Sequence, residues 1–330
     1  MRAVVLESYG EPDVLTLREV PDPRPGPEEV VVDIVATALN RADLLQRRGF
    51  YPGPPMEHEI PGMELSGVVR EVGERVTLWQ PGDEVMGIVG GGSYAEQIAV
   101  HERQLMRVPV AVGVTDAAAI PEVWITAFDA LVAQGRLASG GVALVHAGGS
   151  GVGTASIQIA KALGARVIVT ASAGKVERCL SLGADAAVDY AVDDYVAVAH
   201  ELTGGRGVDV VLDVIGGDYV ERNIDAVAVR GRIILVGVMG GGRTTIDVAK
   251  LLPKRASITG TVLRARPIEE KIAITRRFAA ELLPRFESGE LVPVIDRRYR
   301  LDAIAEAHAA MEANENVGKI LIDVSAARTP

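Results

Sequence analysis

Four glycines stand between positions 148 and 153, after an apolar run and before a helical pattern. The run, residues 142–145, has the length of a buried strand. A turn of this kind can bind a phosphate, because the first turn of a helix has unpaired N–H groups and glycine has no Cβ to hold a phosphate away. The strict G-x-G-x-x-G spacing fails, since Ser150 occupies the middle position. The motif alone leaves open a phosphate site or a structural turn.

The residues about 20 positions after these glycines carry no acid. In a dinucleotide fold the second strand usually ends in a carboxylate that binds the adenosine ribose. Here residues 170–175 read TASAGK. The hydroxyl of Ser172 and the ammonium of Lys175 would suit a ribose 2′-phosphate, which an acid would repel. These residues favour NADPH over NADH as the cofactor.

Length and composition are those of an ordinary globular protein. A chain of 330 residues favours two domains, and 48% apolar content is enough for a sizeable core. The net charge of −10 gives no electrostatic reason to expect binding to nucleic acid or an anionic membrane. Cys179 is the only cysteine, which excludes an intramolecular disulfide and any multi-cysteine zinc cluster. Its helical context indicates a small buried side chain.

The chain shows no targeting or membrane signal. Residues 3–6 are the only apolar run before Glu7, too short for a signal peptide. No uncharged run approaches the length of a membrane span. We therefore expect a soluble, cytoplasmic protein.

The predicted pattern of secondary structure changes near residue 122. Up to there, short strands alternate with Gly and Pro turns, and this pattern predicts a mostly β domain. From residue 140, strands at 142–145, 166–170, 186–189, 208–214 and 232–236 alternate with helices, which predicts a doubly wound parallel sheet. A further strand is expected at 258–263, helices at 268–287 and 301–313, and a closing strand at 319–324. The predicted fold class is α/β, with a Rossmann domain at 123–265 and a second domain formed by 1–122 and 266–330.

Two polar residues of the first domain have competing interpretations. Asn40 stands before a short helical pattern and is either a helix cap or a ligand-binding group. Tyr51 lies in a Gly/Pro loop and is either a half-buried aromatic or a cleft residue whose hydroxyl reaches a ligand.

Several long motifs in the same order give the chain a family resemblance. They are NRADLLQRRGFYPGPP (40–55), PEVWITAF (121–128), HAGGSGVGTA (146–155), LDVIGG (212–217), VMGGG (238–242) and MEANENVGKI (311–320). Together they resemble the zinc-independent quinone oxidoreductases of the medium-chain dehydrogenase/reductase superfamily, closest to the stress-inducible branch and more distant from zeta-crystallin. Within that branch a serine at position 150 is expected.

The resemblance implies a chaperonin-10-like catalytic domain packed against the dinucleotide domain, NADPH between them, and a homodimer or homotetramer. It assigns the pyrophosphate to Ser150, Gly151, Val152 and Gly153. It assigns the 2′-phosphate to Ser172, Lys175 and Tyr190. It places Asn40, Thr126 and Tyr51 near the nicotinamide and the substrate. It assigns the carboxamide to the backbone of Gly237, Val238, Met239 and Leu263, and it puts Lys319 close to the cofactor. Without the resemblance, Lys319 would pass as a solvated charge at a strand end, and Tyr190 as a strand-end aromatic.

Zinc-dependent relatives need ligands that this chain lacks. Met63 precedes Glu64 where those relatives have a histidine, and the five histidines show no ligand spacing. Each histidine, His146 included, is interpreted as a loop or packing residue. Without a metal, hydride transfer needs an acceptor that is already electrophilic, such as a quinone or an enone. Tyr51 and Asn40 are the candidate catalytic residues, Tyr51 as a hydrogen-bond donor to the acceptor and Asn40 as a group that orients the nicotinamide ribose or a water.

Two alternatives stay open at this stage. One is an enoyl-thioester or α,β-unsaturated carbonyl reductase, because the same scaffold and hydride serve both reactions. The other is a non-catalytic NADPH-binding protein.

Overall fold

A computed structural model describes residues 1–325 of the chain. Its strands, in chain order, are β1 (Arg2–Leu6), β2 (Leu15–Glu19), β3 (Glu29–Ala38), β4 (Glu64–Val72), β5 (Glu84–Ile88), β6 (Gln97–His101), β7 (Leu105–Arg107), β8 (Val142–Val145), β9 (Arg166–Ala171), β10 (Ala186–Asp189), β11 (Val208–Asp213), β12 (Val227–Leu235), β13 (Ser257–Gly260), β14 (Ile295–Arg300) and β15 (Lys319–Asp323). Its α-helices are α1 (Arg41–Arg47), α2 (Pro121–Phe128), α3 (Gly151–Ala162), α4 (Ala173–Ser181), α5 (Tyr195–Leu202), α6 (Tyr219–Ala226), α7 (Leu251–Lys254), α8 (Ile268–Glu287) and α9 (Ile304–Glu312).

The chain forms two compact units. The first comprises Met1–Glu122 together with the segment that begins at Arg264, and the second comprises Val123–Leu263. The chain therefore leaves the first unit once and returns to it.

The second unit is built on a parallel sheet of six strands. Their order is β10-β9-β8-β11-β12-β13, and every neighbouring pair is parallel. Consecutive strands run outward from β8 on one side and from β11 on the other, so the direction of winding reverses between these two strands. In such a sheet, ligands bind outside the carboxyl ends of the strands at this switch point.

The first unit is mostly β. Its larger sheet has the order β14-β15-β3-β4-β5-β7, with β6 paired to β3, and β1 and β2 form a separate antiparallel pair. The pair β14 and β15 is parallel, whereas β15 joins β3 antiparallel. The returning segment therefore completes the sheet that residues 1–122 begin, and Ile320 and Ile322 of β15 lie in the same core as Val30 and Leu65.

The α/β fold class predicted from the sequence is confirmed, and several element boundaries are corrected. The expected strand at 258–263 ends at Gly260, and the strand expected at 232–236 begins earlier, at Val227. The region after Thr115 forms a 3-10 turn, Asp116–Ala119, and then α2, which continues as a π-helical segment, Asp129–Gln134. Helix α9 is preceded by a 3-10 turn, Leu301–Ala303. The ends of elements are the part of a secondary structure that local sequence patterns predict least well.

Within residues 1–325, no helix combines the length and the apolar character that crossing a bilayer requires.

Candidate active site

The glycine turn joins β8 to α3 at the carboxyl edge of the parallel sheet. Ser150 is the N-cap of α3, and its Oγ accepts a hydrogen bond from the N–H of Gly153 at 3.0 Å. A Cβ on Gly153 would lie 2.5 Å from the carbonyl oxygen of Gly148, so only glycine fits there. The N–H groups that begin α3, at Gly151 and Val152, lie at the helix end that favours an anion.

Lys175 lies over this turn. A Cβ on Gly149 would come within 2.7 Å of Cδ of Lys175, so the absence of a side chain at 149 is what admits the lysine stem. Beneath the turn, a Cβ on Gly148 would lie 3.2 Å from Sγ of Cys179. Cys179 is fully buried, and burial raises the pKa of its thiol to about 11. Cys179 is therefore an inert packing group, as the sequence indicated. Lys175 brings a positive charge to the glycine turn.

The structure brings Ser172 and Tyr190 to the same edge as Lys175. Asp189 of β10 pairs with Ala171 of β9, so Ser172 and Tyr190 each follow the last residue of neighbouring strands. The N–H of Tyr190 donates to the carbonyl of Ala171 at 3.2 Å, and the Tyr190 side chain is half exposed. Ser172 is the N-cap of α4 without using its side chain in the cap, which leaves its hydroxyl for another partner.

The loops after β11 and β12 are joined through their backbones. Val236 N–H donates to the carbonyl of Asp213 at 2.7 Å, and Gly240 N–H donates to that of Ile215 at 2.7 Å. Gly237 lies against Val214, since a Cβ there would be 3.0 Å from the Val214 carbonyl oxygen. The side chains of Val238 and Met239, by contrast, are more than half exposed. This segment therefore lies at the carboxyl edge of the sheet with its backbone joined to the loop after β11, and its contact with the carboxamide stays a prediction.

Two further predicted residues belong to the second unit. Thr126 lies in α2 and is buried, and Leu263 follows β13 as the last residue of the unit and is also buried. Their predicted contacts with a cofactor stay predictions.

His146 is a packing histidine, as the sequence indicated, but it has two polar partners that sequence reasoning missed. It follows β8, is fully buried and hydrogen-bonds through both ring nitrogens: Nδ1 lies 3.0 Å from Oγ1 of Thr170 and Nε2 lies 2.8 Å from Oδ1 of Asn223. Burial lowers the pKa of the imidazole, opposed by the nearby carboxylate of Asp213. The ring is therefore neutral at physiological pH. A single histidine among apolar residues gives no sign in the sequence that such partners meet it.

In the first unit, Lys319 is a buried cation and not a solvated one. Its Nζ donates to the carbonyl of Leu39 at 2.7 Å, to Oδ1 of Asn40 at 2.7 Å and to Oε1 of Glu64 at 2.8 Å. The side chain of Lys319 is 4% exposed and that of Glu64 is 0% exposed. All three ammonium protons are thus used. A lone lysine at a strand end gives no hint of this, because Glu64 lies far away in the sequence.

Asn40 is both a helix cap and part of this buried group. It is the N-cap of α1, and its N–H donates to Oδ2 of Asp43 at 2.8 Å. Its Nδ2 donates to Oε1 of Glu64 at 2.8 Å while its Oδ1 accepts from Lys319. The two sequence interpretations of Asn40 are therefore compatible. The cap fixes the backbone, and the side chain is oriented by a carboxylate and an ammonium.

Asp43 is a fully buried carboxyl close to Asn40 in the sequence. Burial raises its pKa to about 6, against the N–H of Asn40 and the charge of Lys319, both of which favour the ionised form. Tyr94 is also fully buried, and burial and then the charge of Asp43 raise the pKa of its phenol. Within this polar cluster, Asp43 therefore titrates near pH 6.

Tyr51 is held by an arginine from the returning segment. The guanidinium of Arg264 lies 4.9 Å from the centre of the Tyr51 ring and donates to the Tyr51 carbonyl at 3.2 Å. The same guanidinium donates to Oε1 of Gln46 at 2.7 Å and to the carbonyl of Gly90 at 2.6 Å. Burial raises the pKa of the Tyr51 phenol, opposed by the charge of Arg264. No group within residues 1–325 hydrogen-bonds the Tyr51 hydroxyl, which therefore stays protonated and available.

The residues present do not fit a zinc site. Within the described part of the chain, no group of three or more His, Cys, Asp or Glu side chains is arranged to hold a metal. Both oxygens of Glu64 are engaged, Oε1 by Asn40 and Lys319 and Oε2 by the N–H of Glu122 at 2.8 Å. The ammonium of Lys319 would also repel a cation at this carboxylate. Its neighbour Met63 is a buried thioether.

A chaperonin-10-like unit followed by a doubly wound unit defines a class of dehydrogenases and reductases, and the comparisons agree. Residues 26–110 match the alcohol dehydrogenase GroES-like domain, and residues 151–279 match the zinc-binding dehydrogenase domain. The chain is 30% identical over 327 residues to the quinone oxidoreductase of Lama guanicoe, covering 98% of this chain and 97% of that protein.

Two solved structures are similar over nearly the whole chain. One is an NAD-dependent alcohol dehydrogenase, with a TM-score of 0.87, 35% identity, and coverage of 98% of this chain and 100% of that one. The other is Escherichia coli quinone oxidoreductase complexed with NADPH, with a TM-score of 0.88, 28% identity, and coverage of 98% and 100%. The chain belongs to the quinone oxidoreductase branch of the medium-chain dehydrogenase/reductase superfamily, and it is an oxidoreductase of that superfamily.

Proposed function

We propose that the chain is an NADPH-dependent quinone reductase that needs no metal. The observation that carries the proposal is that Lys175 lies over the glycine turn, next to the end of β9, where Ala171 is followed by Ser172 and not by an acid. The resemblance to a quinone oxidoreductase complexed with NADPH supports the same assignment.

The preference for NADPH follows from charge. A 2′-phosphate at the end of β9 would lie near the ammonium of Lys175, the hydroxyl of Ser172 and the ring of Tyr190, and no carboxylate ends that strand. Charge-assisted hydrogen bonds to a phosphate are about twice as strong as neutral ones. NADH would gain nothing from Lys175, so we expect discrimination between the two cofactors even though one similar structure is that of an NAD-dependent alcohol dehydrogenase.

The absence of zinc ligands limits the chemistry. NADPH, when bound, supplies a hydride. With Glu64 paired to Lys319, the described part of the first unit offers no site for a Lewis acid that would activate an alcohol or an unactivated carbonyl. The acceptor must then be electrophilic by itself, and a quinone is such an acceptor.

Tyr51 is the residue that we assign to the acceptor. Its phenol has a raised pKa and a hydroxyl without a partner among residues 1–325, so it can donate a hydrogen bond to a quinone oxygen. Arg264 fixes the ring by stacking on it and by holding the Tyr51 carbonyl. Asn40 has both amide groups engaged, yet Oδ1 keeps a second lone pair that can accept from a ribose hydroxyl or a water.

The experiment is a cofactor oxidation screen with the purified protein. NADPH and NADH are each tested with 1,4-benzoquinone, an enone and a crotonyl thioester. The proposal predicts that NADPH with the quinone gives the highest kcat/KM. Faster turnover of the thioester would support the alternative reductase, and NADPH binding without oxidation by any acceptor would support a non-catalytic role.

Tyr51→Phe tests the assigned residue within the same assay. Removing a neutral hydrogen bond is expected to lower kcat/KM for the quinone by about threefold to tenfold. Tyr9→Phe is the matched control, because the Tyr9 hydroxyl pairs with Glu59 at 3.2 Å on the exposed surface. Full kcat/KM in Tyr51→Phe would contradict the hydrogen-bonding role.

A further inference from the structure

A chain of buried hydrogen bonds crosses the switch point of the parallel sheet. Its members come from three strand ends and a helix: Thr170 of β9, His146 after β8, Asp213 at the end of β11, and Asn223 of α6. All four side chains are buried, His146, Asp213 and Asn223 completely. The sequence separates these residues widely, with His146 and Asn223 77 positions apart.

The direction of every hydrogen bond in this chain is fixed by Asp213. A carboxylate only accepts, so Nδ2 of Asn223 is the group that donates to Oδ2 of Asp213, at 2.9 Å. Oδ1 of Asn223 must then accept, and it receives Nε2–H of His146 at 2.8 Å and the hydroxyl of Tyr195 at 3.1 Å. Nδ1 of His146 is left as an acceptor for the hydroxyl of Thr170 at 3.0 Å. The neutral Nε2–H tautomer of His146 follows from this order.

The other oxygen of Asp213 holds a loop. Oδ1 accepts the N–H of Ile215 at 2.7 Å and that of Gly216 at 2.9 Å. This loop, residues 214–217, is the one joined through its backbone to the loop after β12, where Gly240 N–H meets the Ile215 carbonyl. A Cβ on Gly217 would lie 2.7 Å from the Gly240 carbonyl oxygen, so the two loops approach closely. The position of one carboxylate therefore sets the position of both loops.

Aromatic rings pack around His146, at the centre of this chain of hydrogen bonds. The His146 ring has edge contacts with Tyr195 and Tyr219, with centroids 4.9 Å and 4.8 Å away. The two tyrosines stack on each other, and the guanidinium of Arg222 lies 4.2 Å from the centre of the Tyr195 ring. Side chains confined in this way keep one hydrogen-bond arrangement, because a rotated imidazole or amide would leave buried polar atoms without partners.

In a sheet of this order, each half binds one nucleotide of the cofactor, the adenosine half on the β8 side and the nicotinamide half on the β11 side. We infer that His146, Asn223 and Asp213 are positioning residues that fix the loops after β11 and β12 for the nicotinamide half of the cofactor. The inference rests on the proposed function, because it needs a nicotinamide cofactor at this edge. None of the three residues needs to touch the cofactor.

The test is an exchange of donor and acceptor between two adjoining side chains. Asn223→Asp places a second carboxylate against Asp213, so that two acceptors face each other. Asp213→Asn places an amide against the amide of Asn223, so that two NH₂ donors can face each other where a donor and an acceptor now pair. The double variant Asp213→Asn/Asn223→Asp restores a complementary pair: the new amide donates to the new carboxylate, which accepts from His146. We expect the Kd for NADPH to rise about tenfold or more in each single variant and to return to within about threefold of wild type in the double variant.

A fragment of the cofactor separates positioning from general damage. Adenosine 2′,5′-bisphosphate carries only the half assigned to Ser172 and Lys175, so its Kd should stay within about twofold in all three variants. Asp209→Asn is the matched control on the same strand, where Asp209 accepts the N–H of Val142 at 2.8 Å at the opposite edge of the sheet. It should lower Tm without changing the Kd for NADPH.

The outcomes distinguish the inference from the function on which it rests. Wild-type protein that binds NADPH, with single variants that bind it equally well, would overturn the inference and leave the function standing. A parallel loss of NADPH and bisphosphate binding would also overturn it, since the damage would then be general. A wild-type protein that binds neither NADPH nor NADH would overturn the proposed function and the inference together.

Discussion

Nζ of Lys319 lies 2.8 Å from Oε1 of Glu64, and both side chains are buried in the first unit. The pair joins β15, from the returning segment, to β4, and it orients the amide of Asn40. It also places an ammonium against the Glu64 carboxylate, and that charge would repel a cation there. This one relationship therefore holds the returning segment to the sheet of the first unit.

Breaking the Lys319–Glu64 ion pair is expected to lower the free energy of unfolding substantially. Lys319→Met leaves Glu64 as a buried charge, and removing one partner of a buried ion pair typically costs about 3–5 kcal/mol of unfolding free energy. The double variant Lys319→Met/Glu64→Gln removes both charges and should unfold at a higher urea concentration than Lys319→Met. Arg103→Met, which breaks the exposed pair with Glu269, is the control and should change little. Equal midpoints for the single and double variants would contradict a coupled pair.

Asp43 should make stability depend on pH. Its pKa is about 6 in the folded protein and about 3.9 when unfolded, so the folded state holds the proton more tightly. Its contribution to the free energy of unfolding is therefore fully present below pH 4 and is lost as the pH rises through 6. The free energy of unfolding should fall by about 2–3 kcal/mol over this range. Asp43→Asn should lack this decline. Urea unfolding at pH 4, 5, 6 and 7 measures it, and a constant difference between wild type and variant would show that Asp43 is not the group responsible.

Alanine substitutions at Gly153 and Gly174 are expected to change stability in opposite directions. Gly153→Ala would drive a methyl group against the Gly148 carbonyl and should cost about 1–3 kcal/mol and abolish tight NADPH binding. Gly174 lies in helix α4, and a Cβ added there would have no atom within 4 Å, so Gly174→Ala should instead stabilise the protein by about 0.5 kcal/mol. Thermal unfolding and NADPH titration measure both. Unimpaired NADPH binding by Gly153→Ala would exclude this turn as the phosphate site.

Lys175 should decide the choice of cofactor. Lys175→Gln removes the cation at the end of β9 and is expected to raise KM for NADPH by about 10- to 100-fold, with less than about threefold change for NADH. Lys161→Gln is the control, because Lys161 pairs with Asp185 at 2.9 Å on the exposed side of α3. Steady-state kinetics with both cofactors measures the ratio, and an equal loss for NADPH and NADH would contradict a role at the 2′-phosphate.

Local patterns in the sequence are sufficient to predict the second unit's sheet and the glycine turn. The strand before Gly148 and the helix after Ser150 are each encoded by consecutive residues, so periodicity and composition report them directly. Helix α8 has the bounds that the sequence predicts, Ile268–Glu287, for the same reason.

The parts that sequence reasoning missed are contacts between distant residues. Glu64 and Lys319 are 255 positions apart, and Arg264 and Tyr51 are 213 apart. No local pattern marks either residue of such a pair, because burial and partnership arise only when the strands assemble. The hydrogen bonds of His146 are hidden for the same reason, since its partner Asn223 comes from a helix that no local pattern connects to it.

The most direct measurement is NADPH oxidation by 1,4-benzoquinone after exhaustive dialysis against a zinc chelator. The donor set around Glu64 predicts that kcat/KM is the same before and after dialysis and does not change when zinc is added back. Loss of activity on dialysis with recovery on adding zinc would contradict hydride transfer without a metal.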